Sequence, residues 1–494
     1  MTELFSAIAG FFTFSHVMVI VYVLNIIIAL AIIFTGSKTP TSTLAWIMIL
    51  FMLPLIGLLM YLIFSQNIAR IKINKMSEAE ASGINGLLSR QKLILDEYRH
   101  TEGAGKFSRW GNMVALNLEY ADSLLTGNDE VEFIYDGKEM FNRLLEDISK
   151  AEYTIKVCYF IVKDDEVGRT FLEALTEKAR QGVKVRLLLD ALGSRSIGSR
   201  ELREFEKAGG QYAFFFKPTL RHLLFRINYR NHRKIVIIDN KIGYLGGFNI
   251  AREYLGLKKK FGYWRDTQMI IKGNALTALN TQFYIDWRFT TKEQINLVQS
   301  SLEYAYHGSS EGGIPVQIVS SGPESNRGTI KLAMMRMITG AQRSIYIQTP
   351  YLVPDEPMIQ SLAMAARAGI DVRIMIPCMP DHPFVYRTTL HNAGILMEDG
   401  AKIYIYDKGF LHAKTLTVDG EVGTVGTTNF DIRSFRLNFE TNAFIYDSTV
   451  TAELNRQFEE DMLDCHEYTI EDRQNLTVWD RFAESISRLL TEVL

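Results

Sequence analysis

The sequence predicts an α/β protein: two similar sheet-and-helix repeats forming one pseudo-two-fold catalytic unit, preceded by a two-helix transmembrane hairpin. Three observations carry that expectation. Two long apolar runs lie near the N-terminus, a strand and helix alternation recurs in both halves, and one short chemical pattern occurs once per half.

The apolar runs come first. Residues 17–34 are almost wholly apolar apart from Asn25, and residues 44–64 form a second run with Pro54 and Gly57 inside it. Both approach the roughly 20 residues a helix needs to cross a bilayer. The polar linker from Thr35 to Thr43 is short, so residues 1–66 read as a hairpin; the alternative is a buried globular hairpin. Pro54 is tolerable there, because a neighbouring helix can satisfy the carbonyl it frees. Residues 1–12 carry Glu3 and no basic residue, unlike a cleaved signal peptide. Arg70, Lys72 and Lys75 follow the second run, whereas the linker has only Lys38. Positive charge marks the cytoplasmic side, which puts the termini and the catalytic part in the cytoplasm of a multi-pass cell-membrane protein.

Residues 67–130 read as a partly helical connector, 131–310 as the first repeat and 311–494 as the second. In the first, a helical stretch from Met140 to Ile148 precedes a strand from Tyr153 to Ile161. A helix then stops at Gly182 before the buried strand ending in Leu187, Leu188 and Leu189. The second repeat has the same order: helix Ile330 to Ile338, strand Ser344 to Gln348, then Gly369 and the strand through Ile376. Such alternation argues sheets with helices on their faces. The chain of 494 residues has room for two or three domains. A net charge of −2 supplies no basic field, so nucleic acid is not an expected partner. Cys158, Cys378 and Cys465 are too few and too scattered for a disulfide framework or a zinc pattern. They read as small buried hydrophobes in a reducing compartment.

The repeats differ before the pattern. The first has an added stretch, Lys217 to Arg230, alternating basic residues with Leu and Phe. It suits either an anionic membrane surface or a loop packing its leucines inward. At the C-terminus, Trp479, Phe482, Ile486, Leu489 and Val493 form the stripe of an amphipathic helix. That stripe could pack on the core, meet the membrane, or join two copies as a homodimer.

The pattern is His-x-Lys-x-x-x-x-Asp, as His232, Lys234, Asp239 and again, 180 residues later, as His412, Lys414, Asp419. Each copy is trailed by a Gly-x-x-Asn turn ending at Asn249 or Asn429. The runs Ile235 to Ile238 and Thr415 to Val418 are β-prone. A period of two therefore puts each histidine and its lysine on one face. Asp239 and Asp419, counted with the catalytic pattern, fall at odd spacing and suit an orienting contact better than substrate. The set argues against a metal, since lysine is a poor ligand and no carboxylate cluster flanks the histidines. A phosphodiester fits. Two ammonium groups and the amides of Asn249 and Asn429 would surround its oxygens with positive charge and donors. One imidazole could attack phosphorus while the other protonates the departing alcohol, through a phosphohistidine.

The doubled pattern resembles the phospholipase D superfamily, and within it the bacterial cardiolipin synthases along nearly the whole chain. The resemblance rests also on Trp46 to Pro54, Gly246-Gly247-Phe248-Asn249-Ile250, Tyr263-Trp264-Arg265-Asp266-Thr267, Pro350 to Glu356, and Asn429 to Glu440. It implies that two phosphatidylglycerol molecules give cardiolipin and glycerol at a bilayer, with neither metal nor nucleotide cofactor. It also implies His232 as nucleophile and His412 as acid/base, with Asp266 and Glu440 each supporting the histidine of the other half. Some superfamily members carry Ser or Thr two residues before the motif asparagine. Thr427 fits, but Gly247 stands in the first half, so a hydroxyl contact to phosphate is expected only from Thr427. The rival readings are a membrane-tethered hydrolase that discharges the same intermediate with water, and a non-catalytic scaffold.

Overall fold

The structure is a computed structural model describing residues 14–35, 40–64, 78–100, 109–217, 228–297, 313–324 and 327–491. The first repeat contributes β1 (Leu125–Asp136), β2 (Thr154–Tyr159), β3 (Lys184–Asp190), β4 (Gln211–Phe215), β5 (Arg230–Asn231), β6 (Ile235–Ile238), β7 (Ile242–Gly246) and β8 (Tyr263–Gly273). The second contributes β9 (Ile314–Ser321), β10 (Ser344–Gln348), β11 (Asp371–Pro377), β12 (Lys402–Tyr406), β13 (Gly409–Leu411), β14 (Thr415–Val418), β15 (Val422–Gly426), β16 (Asn438–Ile445) and β17 (Cys465–Tyr468).

Strand pairing runs 4-3-2-6-7-8-1-9-16-15-14-10-11-12-17. The antiparallel β1–β9 pair is the centre, and the order on either side of it is the same except that β17 is added at the outer edge of the second repeat. Each repeat uses the same devices. The helices Glu166–Arg180 and Glu356–Arg367 are followed by Gly182 (φ +89°) and Gly369 (φ +87°), left-handed positions that turn the chain into β3 and β11. All six residues of β2 are buried, as expected of a strand covered on both faces.

One apolar cluster lies in each repeat, and a third mixes Leu188, Phe215 and Met269 with Ile318, Phe439 and Ile445. That shared cluster makes the repeats one packed unit rather than two beads. The connector is not independent of it. Trp110, Met113 and Leu118, the last two on helix Gly111–Ala121, join the second repeat's cluster. The first-repeat sheet begins at Leu125, six residues ahead of the expected boundary.

Of the two apolar runs, His16–Phe34 is long and apolar enough to cross a membrane as one helix. The second differs from a single expected span. It is two shorter helices, Pro40–Met52 and Pro54–Phe64, broken where Pro54 lacks an N–H. The carbonyl this leaves, that of Leu50, accepts from Asn25 Nδ2 at 2.7 Å, and Pro54 O accepts from the same amide at 3.1 Å. The one polar residue of the first run thus serves the one proline of the second. The linker residues 36–39, the cluster Arg70, Lys72 and Lys75, residues 218–227 of the basic insert, and Val493 lie outside the described residues.

The terminal helix Val478–Thr491 packs on helix Pro383–Glu398, but through its polar side. Glu484 and Ser487 are buried, with Arg387–Asp480 at 3.5 Å and His391–Glu484 at 3.6 Å. Trp479, Phe482 and Ile486 are exposed. Of the cysteines only Cys158 is fully buried, and burial pushes its thiol up.

Candidate active site

Each motif crosses to the other repeat. The strand β5, just before His232, pairs in parallel with β16, and His232 N–H donates to Phe439 O at 2.9 Å. The strand β13, just before His412, pairs in parallel with β8, and His412 N–H donates to Arg265 O at 2.7 Å. The residue after each of those carbonyls is a carboxylate. Glu440 Oε1 and Oε2 therefore lie 2.9 and 3.0 Å from His232 Nδ1, and Asp266 Oδ2 lies 2.5 Å from His412 Nδ1. Held at Nδ1, both rings keep Nε2 for chemistry.

The lysines sit under the histidines. Lys234 Nζ donates to His232 O at 2.7 Å and lies 5.5 Å from the Phe160 ring centroid. Lys414 Nζ donates to His412 O and lies 2.8 Å from His412 Nδ1. All four side chains are buried. Burial pushes the Lys234 ammonium down to about 7 and that of Lys414 to about 8. Burial also lowers His232 against the pull of Glu440, while burial and Lys414 lower His412 to about 4. Burial alone would raise the two carboxyls. Lys414 and His412 hold Asp266 below the usual range, and His232 and Lys234 do the same for Glu440. His232 also feels Lys414, and His412 feels Lys234, so the halves form one electrostatic unit.

The motif aspartates lie elsewhere. Asp239 sits at the far end of β6 and accepts from the N–H groups of Glu152, Tyr153 and Thr154 at 2.7–2.8 Å. Asp419 accepts from Gln342, Arg343 and Ser344 at 2.6–2.9 Å and pairs with Arg109. Counting them with the catalytic groups needs correction: they pin the start of β2 and β10, as their odd spacing suggested. Thr427 is a second correction. Its hydroxyl donates to Glu440 Oε2 at 2.5 Å and accepts from Thr441 N–H at 3.0 Å, so it braces the carboxylate. Gly247 has a steric reason to differ, since a Cβ there would lie 2.0 Å from Asp266 Oδ1. The motif asparagines are unlike each other. Asn249 accepts from Ile161 N–H at 3.0 Å and donates to the Tyr254 hydroxyl at 2.6 Å, whereas Asn429 Oδ1 is buried without a hydrogen-bond partner.

Comparison with known proteins identifies the family to which these repeats belong. The family described as "Cardiolipin synthase, PLD-like domain" matches residues 144–287 and 334–462, and "Phospholipase D-nuclease N-terminal" matches 23–66. The Major cardiolipin synthase ClsA of Bacillus subtilis is 42% identical over 475 residues, covering 96% of this chain and 98% of its own. The cardiolipin synthase of Listeria welshimeri is 42% identical over 482 residues, covering 97% and 99%. The chain belongs to the bacterial cardiolipin synthase family of the phospholipase D superfamily. The family's fold extends to distant sequences. A phosphatidylserine synthase of Haemophilus influenzae superposes with a TM-score of 0.58 at 16% identity, covering 77% of this chain and 97% of that one.

Around the family motifs stand residues to which the sequence assigns no role of their own. The His412 ring packs near Tyr254, Trp264 and Phe410, with centroids at 5.8, 5.2 and 6.1 Å, and His232 lies 5.0 Å from Phe160. Phe410 is two residues before His412 and Trp264 two before Asp266, so strand periodicity could have found both. Two buried ion pairs, Arg233–Asp286 at 2.6 Å and Arg265–Asp461 at 2.7 Å, hold the motif backbones and had no local signal.

Proposed function

We propose that this chain makes cardiolipin by phosphatidyl transfer between two phosphatidylglycerol molecules, releasing glycerol. The observation that carries the reading is the crossed arrangement, in which each motif histidine is gripped at Nδ1 by a carboxylate of the other repeat. Full-length similarity to proteins named cardiolipin synthase supports it.

One imidazole attacks the phosphorus of the donor lipid while the other protonates the departing glycerol oxygen. The second histidine then takes the proton of the incoming lipid's hydroxyl, whose oxygen displaces the phosphohistidine. Lys234 and Lys414 meet the phosphate's non-bridging oxygens, with Asn249 and Asn429 as further donors. An arriving phosphodiester gives each buried ammonium further negative charge in place of the water that burial removed, which keeps both lysines protonated. Asp266 and Glu440 fix the tautomer and stabilise each ring as it gains charge. The apolar N-terminal segment holds the enzyme at the membrane where its substrates are. Positive charge after residue 66 favours a two-pass hairpin with the catalytic part cytoplasmic.

The test is the purified protein in phosphatidylglycerol vesicles, with both products tracked. Cardiolipin and glycerol in equal amounts support transfer. Phosphatidic acid as the main product would instead make the enzyme a hydrolase. Turnover is expected to survive chelator; a loss at the chemical step restored by Mg²⁺ would contradict the metal-free route.

A further inference from the structure

The route from motif asparagine to carboxylate is longer in the first repeat. Asn249 and Trp264 are 15 positions apart, whereas the equivalent Asn429 and Asn438 are 9 apart. The second repeat spans its interval with the short helix Ile432–Arg436. The first adds a turn, Gly256-Leu257-Lys258-Lys259-Lys260-Phe261-Gly262. Its shape is fixed: Gly256 and Gly262 are left-handed at φ +70° and +64°, and Phe261 N–H donates to Lys258 O at 3.0 Å. Lys259 and Lys260 therefore form an exposed tip.

This turn stands beside the active site. Phe261, at its base, packs 5.4 Å from Trp264 and 5.5 Å from Phe410, the rings next to His412. Gly262 bridges to Gly409 at the start of β13, and Gly409 O accepts from Cys378 Sγ at 3.6 Å. A second turn, residues 378–384, thus flanks the first. It carries Asp381, whose carboxylate accepts from the Tyr351 hydroxyl and whose charge Lys414 feels, so it too borders the site.

Both turns expose groups that folding does not use. Leu257 is 41% exposed and Phe384 64%. Lys258 and Lys260 each lie 5.1 Å from the Phe261 ring centroid, but none of the three lysines has an ion-pair partner among the described residues. The carboxylates about the two turns are engaged elsewhere: Glu253 with Lys163, Asp464 with Lys408 and Asp407 with His466. In a chain of net charge −2, three adjacent cations without counter-charge make a local positive field that an anionic surface would neutralise.

We infer that this rim docks the His412 side of the active site onto an anionic bilayer surface. Lys258, Lys259 and Lys260 meet lipid phosphates, while Leu257 and Phe384 enter the boundary between headgroups and acyl chains. The lysine stems lie along apolar surface and their ammonium groups stay among the headgroups. The N-terminal apolar segment tethers the chain but does not orient it; the rim supplies the orientation. With the site turned to the bilayer, a phospholipid can present its phosphate without withdrawing its acyl chains. Withdrawal would cost about 0.8 kcal/mol for every methylene brought into water.

The inference rests on the reading that the substrates are bilayer phospholipids, and its test separates the two. The full chain carrying Lys258→Gln, Lys259→Gln and Lys260→Gln is compared with wild type on two substrates. One is phosphatidylglycerol in vesicles; the other is monomeric dihexanoyl-phosphatidylglycerol, which needs no docking. On vesicles kcat/KM should fall by up to about fivefold for each charge removed, the weight of one cation at the headgroups, and through KM rather than kcat. Monomers should be turned over as fast as by wild type, and arginine at all three positions should restore vesicle activity. Equal falls on both substrates would put the lysines on the substrate itself, and a fall on neither would leave them without a lipid role; either result overturns the inference.

Hydrogen exchange reads the same contact without turnover. Amides of residues 257–261 should exchange more slowly in phosphatidylglycerol nanodiscs than in phosphatidylcholine nanodiscs. That protection should vanish at about 1 M salt, where the Debye length is about 3 Å. Identical exchange in the two discs overturns the docking. A wild-type enzyme that shows the protection but makes no cardiolipin supports the docking and refutes the transferase reading alone.

Discussion

His232 and His412 occupy equivalent places in repeats of one topology, yet their supports differ atom by atom. His232 is held by the longer carboxylate, Glu440, which reaches it with both oxygens and is braced by Thr427. His412 is held by the shorter Asp266, whose carboxylate fills the space a side chain at Gly247 would need. Thr with Glu and Gly with Asp are two solutions to one packing problem. The pairing teaches that residue identities in such a site come in compensating sets, so neither half can be read from the other. Both rings are nonetheless held at Nδ1, so the divergence concerns the supports and not the nitrogen they grip.

The largest expected effect is shared by both halves. His232→Ala or His412→Ala should each lower phosphatidyl transfer by about 10⁴-fold or more, and the double variant should be little worse than either. Transfer rates from vesicles measure this; additive losses would mean the rings do not act as a unit. Lys234→Ala and Lys414→Ala follow, leaving traces at about 10²–10³-fold below wild type, the scale for removing one transition-state charge contact.

The same lysines set the alkaline limb. A lysine lowered to about 7 or 8 is charged below that value and neutral above it, so kcat/KM of the free enzyme should fall as pH rises past 7 and more steeply past 8. Lys234→Arg, which stays protonated, should move the start of the limb up to the Lys414 value of about 8 if it retains activity. A wild-type profile flat to pH 10 would contradict the buried-ammonium picture.

Much of this site could be read from the chain. The two histidines and two lysines lie at fixed spacing along strands, where covalent geometry alone sets direction; the carboxylates Asp266 and Glu440 were legible only through the family resemblance. The helix and strand order of each repeat was equally legible, because Gly182 and Gly369 end helices before apolar strands. What spacing could not supply was partners from far along the chain. Thr427 has a hydroxyl suited to phosphate, and only the position of β16 gives that hydroxyl to Glu440. The terminal helix has an apolar stripe, but ion pairs at Asp480 and Glu484 turn its polar side inward. Pro54 announced a break, yet the residue that answers it, Asn25, lies in the other apolar run.

Smaller effects sharpen the comparison of the supports. Thr427→Val removes one hydrogen bond to a buried carboxylate, and about 10–100-fold in kcat is expected if that bond matters most as His232 gains charge. Gly247→Ala attacks the other half differently, forcing Asp266 off His412 Nδ1. It should cost activity comparably with no lost hydrogen-bonding group of its own. If Thr427→Val were silent while Gly247→Ala was not, the brace would be packing rather than electrostatics.

The smallest kinetic effect is expected from the motif aspartates, and there the halves differ in stability instead. Asn at either position keeps one acceptor oxygen but turns the other into an N–H donor aimed at backbone N–H groups. Asp239→Asn and Asp419→Asn should therefore lose about 1–3 kcal/mol each while kcat of the folded enzyme stays near wild type. Asp419→Asn should lose more, because Asp419 also pairs with Arg109 and so ties the connector to β10. Burial would raise the Asp419 carboxyl, but the backbone amide of Ser344, the Arg109 guanidinium and the neighbouring amides hold it below the usual range. A depressed folded value means its stabilisation is present above the unfolded pKa of about 3.9 and is lost as pH falls through the folded one. Thermal unfolding followed from pH 7 down to 3 should accordingly be steeper for wild type than for Asp419→Asn. Equal slopes would mean that the carboxylate's charge is not what holds that turn.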